Sequence, residues 1–491
     1  MTSTKEPWRV RLLAAPVAAV CLLTTVLGCS INPATGERQL VLMSESQEIA
    51  LGRENHEQIL QQMGVYDDPE VQAYVDRLGQ ELAALSERPD LPWTFTVLDD
   101  PVVNAFALPG GFIYVTRGIL THLDNEAELV SVLGHEIGHV TGRHGVERLS
   151  KAQLAGIGLV VGMIASPELQ RFGDLAQQGL GLLFLKYSRD DEREADELGL
   201  RYTLRGGWDA REMPGVFSVL KAVGEAGGSD RLPSWLSTHP DPDLRTERIG
   251  ARLAEMDRDF SGSKVNRPAY LGQLDGMMFG ANPREGFFRD GLFLHPDLEF
   301  TIMFPAEWKT SNQRQQVVGV SQQQDAIVTL MLAAGSDPAA AAREFLSQDG
   351  VRGGRISTQR INGHPAAEAD FEVPRENADD VRGRVAFVRY GDNTYRLLGY
   401  TLESKWSDHS REIGRFIDSF DRLREQEALK VQPARVDLVT PSRDLSIEGF
   451  NQKFPSTVSL QTLALINHLP AGGTLAGGMD AKRIVGGLGP Q

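Results

Sequence analysis

Cysteine is almost absent from this chain of 491 residues. The two cysteines, Cys21 and Cys29, both lie near the start. The rest of the chain therefore has no thiol for a disulfide framework or for a cysteine-ligated zinc site. Both kinds of site are excluded there.

Basic residues are fewer than acidic residues. Lys and Arg number 50 against 66 Asp and Glu, which gives a formal net charge of −16. An acidic surface repels phosphate backbones, so we expect no nucleic-acid partner. Hydrophobic residues make up 41% of the chain and charged residues 24%, as in ordinary globular proteins. The composition excludes a multipass membrane protein, and the length predicts about three domains.

The N-terminus carries an apolar run of sixteen residues, 12–27, preceded by three basic side chains, Lys5, Arg9 and Arg11. A membrane span needs about 20 residues, so the run is more typical of an export signal. It ends in Leu-Gly followed by Cys29, which resembles the bacterial lipobox and predicts lipidation of that cysteine. An uncleaved anchor and a plain secretory signal are the alternatives. Ser30 in place of Asp favours sorting to the outer membrane, on the periplasmic side.

The predicted architecture is a multidomain α+β protein, because helical periodicity gives way to alternating strands after a polar stretch. The predicted segments are a lipoprotein signal peptide (1–28), a tether (29–43), a mainly helical domain with a small edge sheet (44–256), a linker (257–280), an α+β domain (281–424), a small third domain (425–485) and a tail (486–491).

The patterns also predict individual elements. In the first domain we expect helices over 44–63, 69–85, 125–144 and 155–164, the last one buried, and strands over 93–98, 105–108 and 112–115. Asn125 is the expected cap of its helix, and Glu128 would complete a capping box. In the second domain we expect strands over 298–304, 326–332, 382–390 and 395–403, and a closing helix over 406–423.

The motif that carries chemistry is His135-Glu136-Ile137-Gly138-His139, inside the helix predicted over 125–144. Four residues advance an α-helix by about 400°, so both imidazoles project from one face and can hold one metal ion. Glu136 lies beside that ion without being forced to coordinate it, and it can take a proton from an activated water. The alternative is a pair of surface histidines on an amphipathic helix.

A third ligand is predicted in the acidic stretch 187–196. On a helix Glu192 and Asp196 share a face, whereas Glu194 points about 200° away from Glu192. Glu192 is then the ligand, and Asp196 can accept the free N–H of a metal-bound histidine. The alternative is a solvated helix face. His144 lies about 180° around the predicted helix from His135, so it is excluded as a ligand.

Together these motifs resemble the HtpX-like and CAAX-prenyl-endopeptidase-like family of zinc metallopeptidases. The resemblance rests on His-Glu-Ile-Gly-His-Val, on Tyr-Ser-Arg before Glu192 and Asp196, and on the stretch 104–111. It covers about residues 40–256. It implies a zincin-like domain with one Zn²⁺ per chain, and it agrees with Glu192 as the third ligand. Combined with the lipobox, it is most similar to periplasmic members that degrade misassembled outer-membrane proteins.

The resemblance also assigns roles to His239 and Arg245. His239-Pro240 is similar to the family's His-Pro motif, in which the histidine can take the fourth metal position as a regulatory plug. The alternative for His239 is a loop histidine that caps a neighbouring helix. Arg245 would lie near the site and stabilise the oxyanion of the tetrahedral intermediate. Tyr187 is another candidate for that task.

The predicted reaction is peptide-bond hydrolysis by zinc-activated water, with Glu136 moving the proton to the leaving amine. The predicted catalytic residues are Glu136, Asp196 and Arg245, and the predicted metal ligands are His135, His139 and Glu192. An extended substrate would pair with the edge strand at Asn104, Ala105 and Phe106, because β-addition uses main-chain contacts that are indifferent to sequence. Unfolded or misassembled envelope polypeptides are therefore the expected substrates.

The C-terminal half shows no catalytic constellation. Residues 300–308 faintly resemble the PsbP/Mog1-like α+β fold, which predicts a scaffold or substrate-presenting domain. Residues 425–485 resemble a degenerate LysM module, which implies peptidoglycan binding, although Arg443-Asp444-Leu445 replaces the usual Gly-Asp-Thr turn. A purely structural cap is the alternative for that segment.

Two functions outside simple proteolysis stay open. One is a chaperone or assembly factor for outer-membrane proteins, with a latent protease site plugged by His239. The other is a peptidoglycan-binding protein, which rests on the LysM resemblance alone. In each case the expected partners include outer-membrane lipid, through the acylated Cys29.

Overall fold

The computed structural model describes residues 29–159, 186–225, 235–375, 378–470 and 472–488. The predicted signal peptide and the end of the helix predicted over 155–164 lie outside these residues. The chain divides into two compact units: the first runs to Met277 and includes Leu438–Lys453 and Leu460–Lys482, and the second holds Met278–Asp437, Phe454–Ser459 and the C-terminal residues from Arg483. The predicted domain boundaries stay predictions. No helix among the described residues is both long and apolar enough to cross a bilayer.

The first unit is mainly helical. Its helices up to residue 277 are α1 (Glu45–Met63), α2 (Pro69–Ala83), α3 (Arg117–His122), α4 (Glu126–Thr141), α5 (His144–Leu159), α6 (Arg189–Arg205), α7 (Met213–Glu225), α8 (Trp235–Thr238), α9 (Pro242–Ala254) and α10 (Arg267–Leu274), with a 3-10 helix at Ala210–Glu212. Its strands there are β1 (Cys29–Ile31), β2 (Arg38–Leu40), β3 (Thr94–Leu98), β4 (Ala105–Leu108) and β5 (Phe112–Thr116).

Local signals explain where the first two helices begin. Ser44 and Gln47 form a reciprocal capping box at the start of α1. Asp68 caps α2, and Pro69 occupies its first turn, where a missing N–H costs nothing. Both predicted helices are confirmed.

A three-stranded sheet of order β3-β5-β4 packs against α4, the helix that contains His135 and His139. β4 and β5, expected as strands over 105–108 and 112–115, form an antiparallel hairpin in which Ala105 pairs with Val115. Gly110 and Gly111 make its turn at φ angles of 86° and 100°, which L side chains rarely adopt. β3 pairs with β5 in parallel.

The prediction of one helix over 125–144 is wrong at its C-terminal end. Asn125 caps α4 as expected, but the helix ends at Thr141, and Gly142 is its C-cap. Arg143 follows with φ 58°, a left-handed conformation that breaks the helical path before α5. The capping box is also altered, because the Glu128 carboxylate accepts from the Asp124 N–H at 2.6 Å.

The predicted linker 257–280 contains a helix as well. α10 (Arg267–Leu274) buries Tyr270, Leu271 and Leu274, and the Tyr270 hydroxyl donates to the Leu120 carbonyl at 2.7 Å. The buried side chains and this hydrogen bond attach α10 to the first unit, although the sequence around it is polar.

The second unit is built on antiparallel sheets. Its strands are β6 (Phe287–Arg289), β7 (Leu292–His295), β8 (Phe300–Met303), β9 (Lys309–Asn312), β10 (Gln316–Val320), β11 (Ala326–Ala333), β12 (Arg352–Gly353), β13 (Ser357–Ile361), β14 (His364–Val373), β15 (Val381–Tyr390), β16 (Asn393–Leu402) and β17 (Asp421–Arg422). Its helices are α11 (Pro338–Leu346), α12 (Trp406–Asp418) and α13 (Gln426–Leu429), with 3-10 helices at Pro283–Glu285 and Glu403–Lys405.

The large sheet has the order β12-β14-β15-β16-β11-β10-β9, and β13 also pairs with β14. One core lies between this sheet and α12, centred on Phe304, Ile413 and Phe416, and another lies under α11 around Phe345. Gly399 admits α12 closely, since a Cβ there would lie 2.4 Å from the Ile413 side chain. The α+β character predicted for this region is confirmed.

The C-terminal segments contain β18 (Arg435–Val439), β19 (Leu445–Ser446), α14 (Ile447–Lys453), α15 (Leu460–Ile466), β20 (Thr474–Leu475) and β21 (Ala481–Val485). β19 and β20 pair antiparallel. Residues 438–453 and 460–482 group with the first unit. The third domain expected over 425–485 stays a prediction. The LysM-like interpretation stays a prediction.

Candidate metal centre

Two helices, α4 and α6, cross closely enough to bring the predicted ligands together. Small residues line the crossing: a Cβ on Gly199 would lie 2.9 Å from the His135 amide nitrogen, and one on Gly138 would lie 2.9 Å from the Ala195 carbonyl oxygen. Gly134 faces Gly199 in the same contact. This close approach places the motif of α4 against Glu192 and Asp196 of α6.

Four buried side chains converge at the crossing: His135, His139, Glu192 and His239. Their potential ligand atoms all lie within 4.8 Å of one another. His139 Nε2 lies 3.1 Å from His135 Nε2 and 3.4 Å from Glu192 Oε1. None of the four is more than 2% exposed. Imidazole nitrogens with one carboxylate are the donor set that zinc prefers in hydrolases, so these residues fit a metal ion.

His239 reaches the group from the end of α8. Its backbone N–H donates to the Trp235 carbonyl at 2.8 Å, and its ring stacks on the Trp235 indole at 4.6 Å. His239 Nδ1 lies 3.0 Å from Glu192 Oε1 and 3.2 Å from His135 Nε2. His239 thus lies in one group with His135, His139 and Glu192, and its role as a fourth ligand stays a prediction.

Glu136 is fully buried beside the four ligands. Neither of its carboxylate oxygens has a hydrogen-bond partner within the described part of the chain. His239 Nε2 lies 3.6 Å from its Oε1, too far for a good hydrogen bond. A buried carboxylate with free acceptor sites is costly unless something else occupies them, such as a water or a substrate N–H.

Asp196 and Arg245 lie behind His135. Asp196 Oδ1 is 3.0 Å from His135 Nδ1, in position to accept its N–H, as predicted from the helix geometry. Arg245 donates to both Asp196 oxygens, at 2.9 and 2.6 Å. Burial alone would raise the pKa of Asp196, but Arg245 and His135 hold it below the usual value. Asp196 is therefore an ionised acceptor that can fix the tautomer of His135.

Arg245 has a different set of contacts from the one that the oxyanion role implies. Its Nη1 lies 2.9 Å from Glu192 Oε2, and its guanidinium lies 4.3 Å from the Phe217 ring and 4.4 Å from the Trp235 ring. Burial opposes ionisation of Glu192, but His239 and Arg245 keep the pKa of Glu192 well below its usual value. The oxyanion role of Arg245 stays a prediction.

His144 is a site residue that the sequence analysis missed. Because the helix breaks at Arg143, His144 turns back, and its Nδ1 lies 2.9 Å from His139 Nδ1. The exclusion of His144 as a ligand assumed an unbroken helix, so its stated reason is wrong. Gly142 directly after the helix was the available signal, since glycine commonly marks a helix end.

The predicted substrate strand lies close to the metal group. β4 is at one edge of its sheet among the described strands, and Asn104, Ala105 and Phe106 are all buried. A crevice beside His139 is lined by the next residues along the chain, Ala107, Leu108 and Pro109, and by Tyr187. The Tyr187 ring stacks on His139 with centroids 3.7 Å apart. Substrate binding by 104–106 stays a prediction, as does lipidation of Cys29, the first residue of β1.

A buried group of three imidazoles and one carboxylate is typical of metal-dependent hydrolase centres when a glutamate lies beside it to move protons. Glu136 of α4 is that glutamate, and its carboxylate has no hydrogen-bond partner in the described part of the chain. Residues 69–253 match the family model described as Peptidase family M48, so this part of the chain is an M48 peptidase domain. All the residues of the metal group lie inside the matched range.

Curated proteins similar to the chain include the beta-barrel assembly-enhancing protease of Escherichia coli, 27% identical over 56% of this chain and 54% of that protein. The mitochondrial metalloendopeptidase OMA1 of Arabidopsis thaliana is 36% identical over 38% of this chain and 36% of that protein. The chain thus spans about half the length of the bacterial relatives it matches.

Among solved structures, cyanobacterial PsbP from Synechocystis sp. PCC 6803 is similar to 28% of this chain, at 11% identity and a TM-score of 0.24. A TM-score this low carries no argument about the fold. The PsbP/Mog1-like interpretation of 281–424 therefore stays a prediction.

Proposed function

We propose that this protein is a zinc metalloendopeptidase of the bacterial cell envelope. The observation that carries the proposal is the convergence of His135, His139, Glu192 and His239 around one point. Beside them, the two carboxylate oxygens of Glu136 have no hydrogen-bond partner among the described residues. His135, His139 and Glu192 would hold the ion. When bound, zinc supplies Lewis-acid polarisation and a water that loses its proton near neutral pH.

Residues of the chain would transfer the proton and hold the metal ligands in position. Glu136 removes a proton from the attacking water and delivers it to the leaving amine, a contribution worth about 10²–10⁴-fold in rate. Asp196 holds His135 in one orientation, and Arg245 holds Asp196. Burial of the whole group excludes bulk water and strengthens each of these electrostatic contacts.

The substrate class that we propose is unfolded or misassembled envelope protein. The crevice beside His139 borders β4, an edge strand whose main chain can pair with an extended peptide of any sequence. Relatives named beta-barrel assembly-enhancing protease support a quality-control role. The proposal places the protein in the periplasm, held at the outer membrane through acylated Cys29.

The test of the catalytic proposal is Glu136→Gln. This variant keeps the shape and the ligands, so it should bind zinc as the wild type does while casein cleavage falls at least about 100-fold. Glu192→Ala should instead lose zinc, measured by metal analysis after dialysis. Normal casein cleavage by Glu136→Gln would contradict the mechanism.

A second candidate function is a chaperone or assembly factor whose protease site is latent. It is supported by the position of His239, whose Nδ1 lies 3.0 Å from Glu192 Oε1, where it would take the fourth metal position. His239→Ala should raise cleavage of an unfolded substrate if the plug regulates a protease. Absence of cleavage by both wild type and His239→Ala, with assisted folding intact, would favour the chaperone.

A further inference from the structure

The two ring nitrogens of His139 have different surroundings. Nε2 faces the metal group, 3.1 Å from His135 Nε2 and 3.4 Å from Glu192 Oε1. Nδ1 faces away from it, 2.9 Å from His144 Nδ1. Histidine ligands need a partner on the second nitrogen to fix their tautomer. Asp196 is such a partner for His135, and His144 occupies the corresponding place beside His139.

The contact between His139 and His144 requires one particular arrangement of their ring protons. If His139 uses Nε2 for the metal, its proton is on Nδ1, and His144 Nδ1 has to accept it. The proton of neutral His144 is then on Nε2, which lies 3.5 Å from Glu194 Oε1. The same Glu194 oxygen accepts from Asn32 Nδ2 at 2.6 Å. The His144–Glu194 contact, at 3.5 Å, is longer than a good hydrogen bond, so Glu194 faces the Nε2 proton as a nearby carboxylate.

The backbone around His144 is shaped to allow this contact. The left-handed turn at Arg143, with φ 58°, brings His144 back onto His139. Gly142 leaves the space through which His144 and Glu194 meet: a Cβ there would lie 2.5 Å from His144 Nε2 and 2.8 Å from Glu194 Oε1. His144 is 2% exposed and Asn32 is 5% exposed, so both side chains are ordered by burial.

Asn32 belongs to the N-terminal hairpin of β1 and β2, which packs on the peptidase domain. Arg143 donates to the Ser30 hydroxyl at 3.3 Å and to the Met43 carbonyl at 3.2 Å. The Leu42 N–H donates to the Ser150 hydroxyl at 2.9 Å. Hydrogen bonds thus attach residues 30, 42 and 43 to Arg143 and Ser150, and the tether expected over 29–43 stays a prediction.

We propose that Asn32, Glu194 and His144 form a relay of polar contacts that positions His139 for metal binding. Through this relay the N-terminal hairpin becomes part of the metal centre. Asn32 lies three residues after the predicted lipidation site at Cys29. The proposal rests on the proposed zinc function. All three are positioning residues, because they act on the metal only through His139.

The test compares variants of His144 by zinc affinity, measured by chelator competition on the full-length protein. His144→Phe keeps the volume and removes the acceptor, so zinc affinity should fall by roughly 10–100-fold. His144→Asn keeps an acceptor oxygen near the place of Nδ1 and should recover most of that affinity. A merely space-filling role for His144 predicts the opposite order, with Phe better than Asn.

His56→Phe is the matched control, because His56 is half-buried in the same unit and bonds Tyr114 at 2.7 Å. Its zinc affinity should equal that of the wild type. Asn32→Ala should weaken zinc binding in the same direction as His144→Phe, but less, because Asn32 reaches His139 only through Glu194 and His144. Wild-type zinc affinity in His144→Phe would overturn the relay, whereas failure of the wild type to bind zinc would overturn the proposed function itself.

Discussion

Arg245 sets the charge balance of the metal centre. Three carboxylates, Glu136, Glu192 and Asp196, are each at most 2% exposed within this one site. Arg245 is itself 1% exposed and contacts Glu192 and Asp196 directly. Removing one partner of a buried ion pair leaves an uncompensated charge, which is far more costly than losing a surface pair. A bound divalent cation offsets the same charges, so Arg245 matters most to the metal-free protein.

Arg245→Met should therefore lower the free energy of unfolding of the metal-free protein by about 3–5 kcal/mol. Urea denaturation with and without zinc would measure this, and zinc should recover part of the loss because it stabilises the folded state that binds it. Arg245→Lys, which keeps the charge and loses the two-pronged contact with Asp196, should fall between the wild type and Met. Unchanged stability with a loss of turnover alone would instead support the oxyanion role.

Helix packing determines whether the ligands meet. The crossing of α4 and α6 depends on glycines, since Gly134, Gly138 and Gly199 leave room for backbone to approach backbone. A side chain at this contact cannot be accommodated by a rotamer change, because the nearest atoms on the other helix include main-chain atoms. The distance between His135 and Glu192 is therefore tied to the size of residue 199.

Gly199→Ala should separate the two helices, because the added Cβ would lie 2.9 Å from the His135 amide nitrogen. We expect a loss of about 1–3 kcal/mol in the free energy of unfolding, together with weaker zinc binding. Gly250→Ala on α9 is the matched control, since the methyl group that alanine adds there would have no described atom within 4 Å. Alanine is the better helix former by about 0.5–1 kcal/mol, so the control should be neutral or stabilised. Equal behaviour of the two variants would refute the dependence of the crossing on Gly199.

The elements that the sequence predicts well are those set by local signals. The helix over 44–63, the strands on either side of 109–111 and the i, i+4 spacing of His135 and His139 depend on nearby residues, and each is found where predicted. The break at Arg143 was missed because arginine has no preference for the left-handed region that it adopts there. The Glu194 contact with His144 was missed for the same reason, since it exists only because of that break.

At the scale of the whole first unit, residues 460–482 contact the start of α4, the helix that contains His135 and His139. His468 Nδ1 lies 3.2 Å from Glu128 Oε1, and its Nε2 lies 2.8 Å from the His122 carbonyl oxygen. Lys482 is fully buried there and donates to the Leu123 carbonyl at 2.7 Å. These contacts join residues more than 300 positions apart, so no periodicity or motif in the sequence could reveal them. They make residues 460–482 part of the support for α4.

Burial of Lys482 makes the stability of the folded protein depend on pH. Burial lowers its pKa from 10.5 to about 8, against the attraction of Asp124 and Glu128. Because the folded-state pKa lies below the unfolded one, the folded protein binds this proton less tightly. The buried ammonium therefore costs stability below pH 8, and the cost disappears as the pH rises from 8 to 10.5.

Lys482→Met removes this titration while it keeps a long apolar side chain in place. From below pH 8 to above pH 10.5, the free energy of unfolding of the wild type should rise relative to that of the variant. The expected gain is on the order of 3 kcal/mol. Urea-denaturation curves of both proteins across this range would measure it, and the comparison cancels the other lysines and tyrosines that titrate there. Parallel curves would mean that Lys482 is hydrated in solution and that residues 460–482 do not close over the start of α4.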